Sequence, residues 1–127
     1  MFKKLEELEV YQLSEKLADA VWDVCVQWDY FAKSTVGRQL VQYADSMSAN
    51  LSEGHRRYSF EDNLQFSYFD RGSFNETRNW LRRSYRRKLL TKKEVDEIKV
   101  IISELGPKLN AYITSIRRQA KLKHGHA

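Results

Sequence analysis

One proline and five glycines punctuate 127 residues. Sandwiches and barrels need many tight turns, and tight turns draw on both residues. A chain this poor in them is confined to a few long elements with few reversals. The apolar residues supply those elements. Between about Leu5 and Tyr30, the residues Leu8, Tyr11, Ala18, Val21, Trp22, Cys25 and Trp28 recur mostly at steps of three and four. That spacing is the stripe of an amphipathic helix. Val36, Leu40, Tyr43, Ala44, Met47 and Leu51 repeat it over 35–53. Phe66, Phe69, Ser73, Thr77, Trp80 and Ser84 form a third stripe within 60–90. Val95, Ile98, Ile101, Ile102, Leu105, Leu109, Tyr112, Ile113 and Ile116 form the cleanest one, within 92–120.

The breaks between stripes carry their own chemistry. Ala32-Lys33-Ser34-Thr35 reads as a short connection, with Ser34 or Thr35 capping the second helix. Gly54 suits a left-handed position closing that helix. Ser59-Phe60-Glu61-Asp62 and Thr91-Lys92-Lys93-Glu94 read as capping boxes that open the third and fourth helices. Pro107 falls inside the fourth stripe, which continues beyond it, so a kink and not a stop is expected. The pattern fades after Gln119, and 121–127 is expected to fray. Four long helices with short links predict an all-α fold. The expected architecture is one domain, an up-down-up-down antiparallel four-helix bundle.

Composition narrows the function. Cys25 is the single cysteine, which excludes an intramolecular disulfide framework and any multi-cysteine metal site. It lies in an apolar stripe and reads as a buried structural thiol. Carboxylate metal sites in bundles use Glu-x-x-His, and this spacing is absent, so no metal and no cofactor is expected. No apolar run approaches the ~18 residues of a membrane span. The first residues lack the apolar stretch of a signal peptide, and a cytoplasmic location is expected. Arg118 and His124 have the Arg-x5-His spacing of HEPN ribonucleases, in which the histidine activates a 2′-hydroxyl. The pair stands where the helical pattern fades, with no companion motif, and His124-Gly125-His126 reads as tail. The chain is read as non-enzymatic.

Charge is distributed unevenly. The net value is +5 and the isoelectric point about 9.3. Residues 1–30 hold seven acids against Lys3, Lys4 and Lys16. Residues 71–93 hold nine bases against Glu76 alone. Those bases are Arg71, Arg78, Arg82, Arg83, Arg86, Arg87, Lys88, Lys92 and Lys93. Antiparallel packing would place a smaller basic zone at the other end of the bundle, from Arg56, Arg57, Arg117, Arg118 and Lys121. Such groups neutralise phosphates and release counterions, and the planar arginine fork suits phosphate. The same bases also complement a helix C-terminus, or can meet the acidic first helix of a second subunit. Tyr58 beside Arg56 and Arg57, and Tyr85 among Arg82, Arg83, Arg86 and Arg87, are placed for stacking. Trp22 and Trp80 read as core.

Several stretches resemble a known family. Gln39-Leu40, the run Ala44-Asp45-Ser46-Met47-Ser48-Ala49-Asn50-Leu51-Ser52-Glu53-Gly54, and Arg57 resemble the signature of the four-helix-bundle 23S rRNA intervening-sequence proteins. Gly72-Ser73-Phe74-Asn75-Glu76 is similar to that family's second motif, and Leu8-Glu9-Val10-Tyr11-Gln12 to its first helix. Ile101 to Ile116 resembles the related accessory variability proteins of diversity-generating retroelements. Two departures stand out. Phe31-Ala32-Lys33 replaces a longer link carrying Phe-Pro, and Asp70 stands where alanine is usual. A buried acid needs a partner, and an arginine or Ser46 is expected to supply it. In the first motif Ser46 and Asn50 are read as packing residues, with Glu53 pairing Arg57 across the turn; the alternative makes Glu53 and Arg57 part of a ligand site at a subunit junction.

The resemblance implies a cytoplasmic homopentamer, in which five copies gather about +25 of charge. It also implies partners: retroelement members bind nucleic acid and a reverse transcriptase. The expected function is non-enzymatic RNA or DNA binding through phosphate contacts. The alternative is an assembly or adaptor module that docks a protein such as a reverse transcriptase through the same basic face.

Overall fold

The computed structural model describes residues 3–125, with side chains through Leu122. Regular structure among them is helical: α1 (Glu9–Cys25), α2 (Arg38–His55), α3 (Phe60–Arg86) and α4 (Lys92–Gly125). No helix is long and apolar enough to cross a membrane among the described residues. The four pack in a ring, α1 on α2, α2 on α3, α3 on α4 and α4 back on α1. The α2–α3 pair is in the most intimate contact.

Burial follows the sequence with unusual regularity. α1 buries Val10, Ser14, Leu17, Val21 and Val24, at alternating steps of four and three. α2 does the same with Leu40, Ala44, Met47, Leu51 and Gly54. α3 does so with Asn63, Ser67, Asp70, Phe74, Thr77, Leu81 and Ser84. This is heptad spacing, which keeps one seam against a neighbour along a whole helix. Four stripe assignments therefore shift. Trp22 points outward and is 55% exposed, while Leu17 is fully buried. Phe69 is exposed and Phe66 half-buried, because the buried seam of α3 runs through its small polar residues instead. Trp80 is half-buried, with its Nε1 enclosed and unpartnered.

A seam of serine and threonine stays stable because the helix satisfies it internally. Ser67 Oγ donates to Asn63 O at 2.9 Å, Thr77 Oγ1 to Ser73 O at 2.8 Å, and Ser84 Oγ to Trp80 O at 2.7 Å. Each hydroxyl bonds the carbonyl one turn back. Small volume then lets α2 approach, and the Ser46 and Ser73 hydroxyls hydrogen-bond across the gap at 2.6 Å. Asn63 Nδ2 donates to the Tyr112 hydroxyl at 3.2 Å, tying α3 to α4. Asp70 is the exception. It is fully buried, and neither carboxylate oxygen has a hydrogen-bond partner. The expected arginine does not reach it, and Ser46 is spent on Tyr43 O and Ser73. Burial pushes its pKa up to about 8, and Asn50 only tempers the rise.

The connections also differ from expectation. α1 ends at Cys25, not near Tyr30. A helical turn, Tyr30–Ala32, and a π-helical turn, Lys33–Gly37, then lead without a break into α2. Asp29 caps this run, its Oδ1 accepting from Ala32 N at 3.0 Å. Ser34 and Thr35 instead donate to Phe31 O. Gly54 lies inside α2 and no glycine among the described residues has positive φ. Its use is close approach: a Cβ there would collide with Asn63 Oδ1 and stand 3.0 Å from Phe66 Cβ.

Both capping boxes open their helices. Ser59 Oγ accepts from Asp62 N at 3.1 Å. Thr91 and Glu94 exchange both bonds, at 3.1 and 2.9 Å. α3 closes at Arg86, short of Leu90, through Lys88 at φ 63°. Leu89 N donates to Ser84 O and Lys88 N to Tyr85 O, the paired bonds of a Schellman ending. α4 passes Pro107 unbroken and stays helical to Gly125, where fraying from 121 is expected. Ala120 is buried, and Lys121 and Leu122 are good helix formers, so nothing stops the last turns. His126 and the side chain of His124 lie outside the described residues.

Candidate nucleic-acid interface

α3 carries two arginine pairs one turn apart, Arg82-Arg83 and Arg86-Arg87, on the face turned away from its buried seam. Burial of Leu81 and Ser84 on the opposite side of the helix leaves 82, 83, 86 and 87 exposed. With Asn79 the four line one concave cleft of about 420 Å³. None of the four enters an ion pair among the described residues. Their charge is therefore uncompensated by the chain itself.

Arg82 and Asn79 also form a wall of a second, larger groove between α3 and α4, of about 600 Å³. Arg78, Lys92 and Lys99 stand on its rim, while Leu81, Val95 and Ile98 contribute apolar surface. Lys92 is partly engaged, bonding Asp96 at 3.1 Å. No acidic residue lines either hollow. Lys88 and Lys93 are exposed nearby but line neither. Arg87 also reaches a third hollow, of about 690 Å³, with Phe31, Trp80 and Leu89.

The second basic zone is built differently. Arg57 lies over the Phe66 ring, 4.8 Å from its centroid, and bonds Glu53 at 3.3 Å. Arg56 bonds the same carboxylate at 3.4 Å. Arg117 Nε donates to the Tyr68 hydroxyl at 3.1 Å and its guanidinium lies over that ring, with Arg71 also over it. The zone thus gathers on the first half of α3, but its arginines are held by aromatic faces and by Glu53. Arg118 is exposed and enters no ion pair among the described residues. Tyr58, next to Arg56 and Arg57 in sequence, is fully exposed, and Tyr85 is 46% exposed and lines the α3–α4 groove. Sequence periodicity missed Tyr68 and Phe69 as exposed aromatics beside the half-buried Phe66. The available signal was the heptad that places Asn63, Ser67 and Asp70 inward.

The motif residues are structural in placement. Glu53 bonds Arg57, Gly54 admits α3, and Ser73 faces Ser46. Asn50 acts on Asp70. Gly72 is exposed with open space around it, and Glu76, one turn on, is half-buried. Cys25 is buried and its thiol is pushed up to about 12 by desolvation, which leaves it inert. No group of three or more metal-ligating side chains occurs among the described residues.

The sequence model of the 23S rRNA-intervening sequence protein family matches residues 6–111. This chain belongs to that family. The match takes in α1 to α3, both family-like motifs and most of α4, up to the turn before Tyr112. Among solved structures, this intervening-sequence protein is similar to one from Bacteroides thetaiotaomicron VPI-5482. That structure is described as a protein with unknown function from the S23 ribosomal protein family, at 1.70 Å resolution. The two share 20% identity with a TM-score of 0.72, over 82% of this chain and 97% of the other. At that identity the likeness shows the shared fold. No curated protein matches the chain.

Proposed function

We propose that this intervening-sequence protein is a non-enzymatic nucleic-acid-binding bundle of up-down-up-down topology, acting as a homopentamer. The observation that supports binding is the cleft of Arg82, Arg83, Arg86 and Arg87, four guanidiniums with no acidic partner among the described residues. Uncompensated arginines on a rigid helix are the groups that replace counterions on a phosphate backbone. Pairwise packing of each helix with its sequence neighbours supports the topology. An exposed apolar corner supports self-assembly: Tyr30 is 83% and Phe31 76% exposed, near Trp22 and Val26 in the chain.

The test is fluorescence anisotropy with a labelled 12-nucleotide single-stranded RNA and a duplex DNA, at 50 and 200 mM salt. If the four arginines neutralise four phosphates, single-strand affinity falls roughly fiftyfold across that range. Changing Arg82, Arg83, Arg86 and Arg87 to Ala removes both the binding and the salt slope. Absence of binding at 50 mM would overturn the reading and turn attention to a protein partner on the same face.

A further inference from the structure

The arginine cleft and the α3–α4 groove share Asn79 and Arg82, so a ligand entering one borders the other. Resting on the nucleic-acid reading, we infer that the groove is a pocket for an unpaired nucleobase, whose flanking phosphates lie in the arginine cleft. Four features point there. The volume, about 600 Å³, falls in the range of small-ligand sites, roughly 300–1,000 Å³. Its apolar lining, including Leu81, Val95 and Ile98, suits the face of a base. Tyr85 offers a ring for stacking. Asn75 and Asn79, one helical turn apart, offer amides that both donate and accept, and base edges present both kinds of group.

An apolar helix from a protein partner would fill the same floor but leave those amides and the rim cations unmatched. A duplex keeps its bases stacked inside and cannot deliver one to the groove without flipping it. The site therefore selects single strands, bulges or ends.

The experiment compares a 12-nucleotide single-stranded RNA with an abasic oligonucleotide of equal length and phosphate number, using the full chain. The groove gives the base-bearing strand about tenfold tighter binding. The double variant Tyr85→Ala/Asn79→Ala binds both strands equally, at the abasic affinity. Both positions are exposed on α3, and helical content by circular dichroism checks the fold. Equal binding of the two strands by the unaltered protein would overturn the groove assignment while leaving the phosphate cleft standing, with a protein partner the remaining occupant. Retained discrimination in the double variant would overturn the placement. Binding of neither strand would overturn both this inference and the reading beneath it.

Discussion

Gly54 and Gly72 stand in neighbouring helices and call for opposite treatment. A methyl group at Gly54 meets Phe66 Cβ, which is fixed to the α3 backbone, and Asn63 Oδ1, which is committed to Tyr112. A methyl group at Gly72 meets nothing. Gly54→Ala is expected to lose about 1–3 kcal/mol through overpacking. Gly72→Ala is expected to gain about 0.5–1 kcal/mol from helix propensity. Urea unfolding of both variants checks the pair. If Gly72→Ala weakens assembly while raising monomer stability, the open face at Gly72 is a subunit contact. Sequence alone flagged both glycines but assigned Gly54 to a left-handed position closing the helix. The residue it faces is nine positions on in the chain and across a helix crossing.

Asp70 sets a pH dependence. Its folded pKa, about 8, lies above the ordinary 3.8, so between those values the folded state holds a proton that the unfolded state has released. Stability from this group is therefore full below about pH 4, falls steadily as pH rises, and levels off above 8. Tyr112 on α4 is raised by burial and, to a lesser degree, by the Asp70 charge. Asp70→Ala is expected to stabilise by about 1–3 kcal/mol at pH 7, since it removes a buried group without partners. Denaturant midpoints at pH 5, 7 and 9 should show the gap between variant and parent widening. A constant gap would overturn the account.

At the scale of the element, existence and order were readable because capping boxes and apolar spacing agree on them. Orientation was not. The third stripe was read through Phe66, Phe69 and Trp80 because periodicity weighs apolar residues. Packing against α2 instead favours whatever is small enough to permit contact, and Ser67, Ser73 and Thr77 meet that demand. The helical run that leads into α2 begins at Tyr30 and not at 35: Ser34 and Thr35 are good caps in isolation, yet Asp29 already caps the turn before them.

The end of α3 gives a further test at this scale. Lys88 occupies a left-handed conformation that glycine adopts without penalty. Lys88→Gly is expected to stabilise by about 0.5–1 kcal/mol and to leave nucleic-acid affinity within a few-fold, because Lys88 lines neither hollow. Thermal melting and anisotropy together separate these effects. A large loss of affinity would assign Lys88 to the interface.

For the molecule as a whole, bundle class was legible from four stripes and scarce turns. The uneven charge was legible too, but not the way Arg82 and Asn79 join two hollows. That juxtaposition depends on which flank of α3 meets α4. Self-association gives the whole-molecule test. If the proposed pentamer closes through this corner, Phe31→Asp is expected to yield smaller species in sedimentation velocity, with helical content unchanged. An unaltered sedimentation coefficient would remove the corner around Phe31 from the interface.

The buried carboxyl of Asp70 has a consequence for calorimetry. At pH 7 the folded chain is nearly one charge more positive than its formal +5, because Asp70 keeps its proton. Melting releases that proton, about one per chain, into the solvent. The buffer takes it up with its own heat of ionisation. Scans in phosphate, whose ionisation heat is small, and in an amine buffer, whose heat is large, should therefore report different unfolding enthalpies for one and the same transition.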